Sequence, residues 1–332
     1  MPSANVGTAV DDRALISHPP GMIAGDIAYV ALAVTDVEAM ARVLARDFGL
    51  ARSDCRVGDT SRTAPVFAVG RSALAVFHAA DPFLGGDARP GVHHLALAVA
   101  DVTAAAGAAV HAGLAVAAGD PGAGLAARGR VLLSSDSTAG VRTYLSEPLD
   151  VDVMAQGWVQ RIDHVGVASA DNDAGIDAFS TRMGFSIESR QTDVELSIAV
   201  ESFTSDRYGV VSHTRAPEVV GGLRVAFITV GECELELLQD LDPGEGTRAA
   251  RGPGTTRGDR SAIARFVASR GPGLHHLALK VDDVDRALAS LAAAGLTVID
   301  RVGRPGSRRA RIGFIHPSSL GGVLMHLVER EV

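Results

Sequence analysis

The chain has 332 residues, of which 47% are hydrophobic, 21% charged and 4% aromatic, the balance of a soluble globular protein long enough for two ordinary domains. A formal net charge of −8 and the scarcity of aromatic residues argue against a nucleic-acid or membrane partner and against an aromatic sugar or base platform. The two cysteines, Cys55 and Cys233, lie far apart, which excludes a disulfide framework and any CxxC motif; no basic leader and no apolar run near the roughly 18 residues of a span is present, so the expected location is the cytoplasm.

The first element in chain order, DIAYVALAV from Asp26, is an apolar run that reads as a strand. Asp36 then caps an Ala-rich helix that ends at Gly49. VGRSALAVFHAADP at 69–82 supplies later strands of the same unit. A second unit opens with GVHHLALAV at 91–99, is capped at Asp101 and turns at Gly113. A linker is expected near 149–160. A third unit opens with RIDHVGVAS at 161–169, with its cap at Asp171 and its turn at Gly184, and closes on VGECELELLQDLDP at 230–243. Compared with the first unit it is longer in the middle, so residues about 190–222 hold an insertion. The fourth unit opens with GLHHLALKV at 273–281, is capped at Asp283 and turns at Gly295. Arg304, Arg308, Arg309 and Arg311 follow, read as a solvated hairpin in preference to an anion-binding edge.

The units are copies of one another. GVHHLALAVADVTAAAGAAVHAGLAV (91–116) and GLHHLALKVDDVDRALASLAAAGLTV (273–298) agree without a gap at roughly half their positions. The segments 26–50 and 161–185 form a weaker pair. Each copy spells βαβββ. One such unit cannot cover both its sheet and its helix, so units must pair into curved half-barrels. The fold class expected is therefore α+β, four βαβββ modules forming two half-barrel domains over residues 22–150 and 158–332.

Four polar residues interrupt apolar strands of the second half: His164 in the first and Glu236 in the last strand of unit three, His276 in the first and His326 in the last strand of unit four. Taken singly, each His reads as a satisfied core or surface residue. Their matched places in two related units bring them together under twofold pairing, and three imidazoles with one carboxylate suit a divalent metal. The corresponding residues of the first half are Tyr29, Ala75, His94 and Tyr144, which leave one ligand of the usual type and point to a metal-free, degenerate domain. Strand alternation sends His275 to the outer face opposite His276.

These stretches resemble the vicinal oxygen chelate superfamily of glyoxalases, bleomycin-resistance proteins and extradiol dioxygenases. RIDHVGVA, LRVAFITVGECELELLQDLDP, the run from Ser261 to Asp300 and RIGFIHPSSLGGVLMHLVER are similar to methylmalonyl-CoA epimerases. The whole-chain layout resembles 4-hydroxyphenylpyruvate dioxygenase, hydroxymandelate synthase and 2-epi-5-epi-valiolone epimerase-type proteins. The resemblance implies metal ligands at His164, Glu236, His276 and the last-strand position, where the family usually carries glutamate and this chain carries His326. A second acid of the family falls at Val220 and Gly221, with Glu218 out of register.

The resemblance implies a divalent ion (Zn, Ni, Co, Mn or Fe) that stabilises an enolate while a base moves the neighbouring proton. The first expectation is thus an epimerase or isomerase acting beside a carbonyl of a small-molecule substrate, a hydroxyketone, cyclitol or acyl-CoA. Glu236 and His326 are the catalytic candidates, with His213, Glu218 and His316 as outer ones and His316 better explained as the end of a strand. An Fe(II)-dependent dioxygenase of the 4-hydroxyphenylpyruvate dioxygenase type is the alternative, and a non-catalytic small-molecule binding or resistance protein the third. Four units in one chain complete a site without a homodimer, which stays open.

Overall fold

A computed structural model describes residues 21–330 except 87, 120, 152–156, 199, 215 and 242–255; of residues 195, 197, 201, 203, 213, 218–220 and 256–261 it describes the backbone alone. Part of the expected linker lies outside the described residues. The first half forms β1 (Asp26–Val34), α1 (Val37–Arg42) with a π-helical continuation at Val43–Asp47, β2 (Arg52–Arg56), β3 (Thr63–Val69), β4 (Ser72–His78), β5 (Gly91–Ala98), α2 (Val102–His111), β6 (Arg130–Leu132) and β7 (Thr143–Ser146). The second half forms β8 (Val159–Ser169), α3 (Asn172–Ile176) with a π-helical continuation at Asp177–Arg182, β9 (Ser186–Ser197), β10 (Val200–Ser205), β11 (Gly209–Thr214), β12 (Glu218–Val230), β13 (Cys233–Asp240), α4 (Thr256–Arg270), β14 (Gly273–Val281), α5 (Val284–Ala293), β15 (Arg304–Pro305), β16 (Arg311–Ile315) and β17 (Met325–Glu329).

Each half makes one mixed half-barrel sheet, in the orders β2-β3-β4-β1-β5-β7-β6 and β15-β16-β17-β14-β8-β13-β12-β9. The symmetry sits at the centre. The opening strands of successive units, β1 with β5 and β8 with β14, pair antiparallel. The closing strands β4, β7, β13 and β17 flank them in parallel. Alternation along each strand turns one set of side chains onto the concave face and the other onto the helices. The largest apolar cluster lies on the helical side and is shared by both sheets, with Ile27, Leu32, Leu95, Val165, Leu277 and Leu327 all buried in it.

The helix signals are realised residue by residue. Asp36, Asp101 and Asp283 accept the backbone N–H three residues on, and Asp171 that of Asp173. Gly49, Gly113, Gly184 and Gly295 all have left-handed φ at the helix exits. The βαβββ grammar holds in full for units one and four. Unit two keeps the bridge between Val116 and Leu133, matched in unit four by that between Val298 and Ile315, but among the described residues it has no strand corresponding to β15. The insertion of unit three is a lengthened β9–β12 pair carrying the separate β10–β11 ribbon. Helix α4, between units three and four, is an element the repeat does not contain. Among the described residues no helix is long and apolar enough to cross a membrane.

Candidate metal centre

The four polar residues converge on the concave face of the second sheet. Cross-strand register does this: Glu236 of β13 and His276 of β14 both pair with Gly166 of β8, two residues beyond His164. His326 of β17 pairs with Ala278, itself the partner of His164. All four side chains are buried. Glu236 Oε2 lies 3.2 Å from His164 Nε2 and 3.3 Å from His276 Nε2, and the two Nε2 atoms are 3.4 Å apart. One ring nitrogen each from His164, His276 and His326 falls within a 4.8 Å spread. Both nitrogens of His326 are buried without a hydrogen-bond partner, an arrangement that a folded protein seldom leaves uncompensated.

The electrostatics follow from this crowding. Burial alone would push the Glu236 carboxyl up, but the charges and hydrogen bonds of His164 and His276 outweigh it and hold it well below the usual carboxylate range. Burial would lower His164, yet Glu236 and Asp163 raise it to about 9. His326 has no such carboxylate contact, so burial, reinforced by His276 and His164, pushes it far down and keeps it neutral.

A second layer fixes His164. Its Nδ1 lies 2.8 Å from Asp163 Oδ1. Arg330 donates to the same carboxylate through Nε (2.9 Å) and Nη2 (2.6 Å). Asp163 is wholly buried, and although burial opposes its charge, His164 and Arg330 hold it strongly acidic. A metal-binding imidazole is oriented in this way by a carboxylate on its far nitrogen.

The residues form one end of a cavity of about 820 Å³, in the size range of small-molecule sites. Its walls are apolar around Leu223, Val225, Phe227, Leu238, Ile263 and Phe314, and Gln191, Asp193, Arg304 and Arg308 bring polar groups to it. The solvated reading of the arginine cluster therefore fails for Arg304 and Arg308. Arg308, in left-handed backbone at φ 57°, lays its guanidinium 3.7 Å from the centre of Phe227 and pairs with Glu234 and Glu188. Arg311 pairs instead with Asp285 and Glu329 outside the cavity, and Arg309 is exposed.

Other sequence candidates separate. His275 does not sit on an open outer face: a register shift between Leu274 and His276 leaves it half-buried against Phe266 of α4 and in the cavity lining. Its Nδ1 is 3.1 Å from His276 Nδ1. His316 is exposed and caps the turn after β16, where its Nδ1 accepts from the Ser318 N–H. The side chains of His213 and Glu218 lie outside the described residues. In the first half three of the corresponding positions, Tyr29, His94 and Tyr144, carry rings and the fourth is Ala75. His94 packs edge-on to Tyr144 at 4.8 Å and to Tyr29 at 5.6 Å, with the Arg130 guanidinium 4.0 Å from Phe83 and 4.7 Å from Tyr144. Sequence reasoning missed Asp163, Gly166 and Arg330, and read Arg308 as part of a solvated hairpin. Only Asp163, an acid inside the apolar run before His164, left a signal that could have been read.

Residues 163–314 match the model of the Glyoxalase/Bleomycin resistance protein/Dioxygenase superfamily. Two mitochondrial methylmalonyl-CoA epimerases are similar to about a third of this chain. The one from Dictyostelium discoideum is 29% identical over 114 residues, 34% of this chain and 59% of that protein. The one from Bos taurus is 28% identical over 107 residues, 32% of this chain and 52% of that protein. The chain thus spans only about half to three-fifths of the length of these relatives. A triple mutant of 4-hydroxymandelate synthase from Streptomyces coelicolor superposes on 93% of this chain and 93% of its own, with a TM-score of 0.59 and 18% identity, so the two-half-barrel fold is common to both chains.

Proposed function

From the membership of residues 163–314 in this superfamily, we propose that the protein is a divalent-metal-dependent epimerase or isomerase that moves a proton beside a substrate carbonyl. The observation that carries the reading is His326, an enclosed imidazole with neither nitrogen partnered, beside the donor atoms of His164 and His276. Leaving such a group unmet costs about 1–3 kcal/mol, and a bound ion removes that cost. His164, Glu236, His276 and His326 would hold the ion, with Zn, Ni, Co, Mn and Fe all compatible with three imidazoles and a carboxylate. When bound, it supplies Lewis-acid stabilisation of an enolate.

The chain's own residues supply the rest. Asp163 and Arg330 fix the His164 ring, and apolar walls at Leu223, Val225 and Phe314 keep water from the reacting carbon. Glu236 and His326, both at the metal end of the cavity, are the groups placed to exchange a proton with a substrate there. Glu236 is committed to two imidazoles and is a weak base in that setting. His326 is neutral and has no carboxylate contact; it takes the proton and returns it only when its nitrogen is off the ion, which then rests on His164, Glu236 and His276. The polar groups at Gln191, Arg304 and Arg308 suit a hydroxylated or acyl-CoA substrate.

The test is metal analysis of the purified protein, followed by incubation of candidate hydroxyketones and acyl-CoA thioesters in deuterated solvent with oxygen monitored. Deuterium uptake beside the carbonyl without oxygen consumption, lost in His164→Ala and Glu236→Ala, is expected. Oxygen consumption with Fe(II) and a 2-oxo acid would replace this reading with a dioxygenase. That second reading draws on Glu236 Oε2 lying against two imidazoles, the two-His-one-carboxylate set of non-haem iron oxygenases.

A further inference from the structure

A second cleft, of about 320 Å³, opens where the two halves meet. The first half brings Arg89, His93 and Arg142 to it, and the second half Arg270 from the end of α4. Three guanidiniums at one cleft repel one another, and among the described residues no carboxylate pairs with any of them. Each is held by a backbone carbonyl instead: Arg89 donates to Ser269 O, Arg142 to Leu84 O and Arg270 to Pro90 O, all at 3.1 Å. Two of these bonds cross between the halves, so the charges are positioned from opposite walls. A carbonyl satisfies one N–H of a guanidinium fork and leaves its charge uncancelled and its other donors available.

The surrounding backbone keeps the forks accessible. Gly85 and Gly91 have φ of 92° and 146°; a Cβ at Gly85 would stand 3.7 Å from Arg142 Nη1, and one at Gly91 3.6 Å from Arg270 Nη1. A Cβ at either place would stand in ordinary van der Waals contact with a donor nitrogen, so both glycines border the forks. Burial and the facing charge of Arg89 lower the Arg270 pKa, the response of a cation lacking a counter-ion. The chain as a whole carries a surplus of acid, −8, yet among the described residues none of it pairs with these three cations.

We infer that this cleft binds a multiply charged phosphate-class oxyanion, either a free anion or the phosphate end of an ester. A carboxylate would offset one of three positive charges, whereas phosphate or pyrophosphate brings the charge and the oxygen count that three forks require. The site is separate from the metal centre yet abuts its back. Phe266, which lines the cleft, packs edge-on to His275 at 5.0 Å, and His275 touches His276. An anion there links the two halves and braces the strand that presents His276.

Calorimetric titration of the full-length protein with inorganic pyrophosphate at low ionic strength tests this. One saturable site is expected, weakened by about tenfold or more in the Arg142→Gln, Arg270→Gln double variant and unchanged in His326→Ala. Both arginines are exposed, so the double variant keeps its fold, checked by its unfolding temperature. A parallel titration with ADP separates the sources: binding as tight as pyrophosphate marks an ester, and weaker binding a free anion. No saturable heat at millimolar pyrophosphate overturns the inference. So does a signal that survives the double substitution, or one that His326→Ala removes, since pyrophosphate would then be reporting the metal centre.

Discussion

The ring of His276 occupies the volume that any side chain at residue 166 would need: a Cβ built on Gly166 falls 2.0 Å from Cε1 and 2.5 Å from Nε2 of His276. The two residues are cross-strand partners, so glycine is required by close approach and not by backbone conformation. Gly166→Ala therefore displaces the imidazole. Metal content is expected to fall at least about tenfold, while overpacking lowers stability by about 1–3 kcal/mol. Elemental analysis beside calorimetry reads both, and wild-type metal content in this variant would remove His276 from the ligand set.

Asp163 acts through His164, whereas Arg330 holds Asp163 and also reaches the cavity wall. Asp163→Asn keeps the shape but weakens the hold on the Nδ1 hydrogen, and metal affinity should drop about 10–100-fold with little change in cavity shape. Arg330→Gln leaves a buried carboxylate short of its bidentate partner, and its main effect should be on stability, about 3 kcal/mol. Metal titration and denaturant unfolding of the two variants separate these roles; identical profiles would contradict the division.

Because both His326 nitrogens lack partners in the metal-free chain, His326→Leu should raise the stability of the metal-free protein by about 1–3 kcal/mol while reducing metal uptake and abolishing proton exchange. A lower unfolding temperature for this variant in chelator would mean that the imidazole is satisfied in a way the geometry does not reveal.

The first half offers a matched control. With Tyr29, Ala75 and Tyr144 at the corresponding places and His94 enclosed by rings, His94→Leu should leave metal stoichiometry at one ion per chain. Loss of an ion on that substitution would put a second centre in the first half.

His93 sets an acid limb of stability. Burial, with the Arg142 charge, pushes it down to about 4, against about 6.5 in an unfolded chain. The unfolded state therefore holds the extra proton between those values, and the stability contributed by neutral His93 is present above pH 6.5 and lost as pH falls towards 4. Its share is at most about 1.4 kcal/mol per pH unit. His93→Gln should flatten unfolding temperature against pH in this window without removing the limb, since His275, pushed to about 3 by burial and His276, acts in the same direction. An unchanged slope would place the proton uptake elsewhere.

What could be read from sequence was whatever recurs at a fixed period. Asp36, Asp101, Asp171 and Asp283 announce helix starts because capping is local chemistry, and the repeat of HHLAL exposes the twofold logic that brings His164, Glu236, His276 and His326 together. The arginines are a different matter. Nothing local distinguishes Arg308, whose partners lie 120 and 74 residues earlier at Glu188 and Glu234, from Arg311, which pairs outside the cavity. The bulge at His275, the helix α4 that covers it and the ring-sized gap at Gly166 are likewise products of tertiary register, invisible until β8 and β14 are aligned.

Placing successive units side by side in one chain changes the reaction order of site assembly. In this fold the His164–Glu236 face and the His276–His326 face belong to units joined by a covalent tether, so their meeting is a unimolecular event whose equilibrium is independent of protein concentration. Dilution that would dismantle a centre shared between two subunits leaves this one whole, and specific activity should stay level down to nanomolar enzyme.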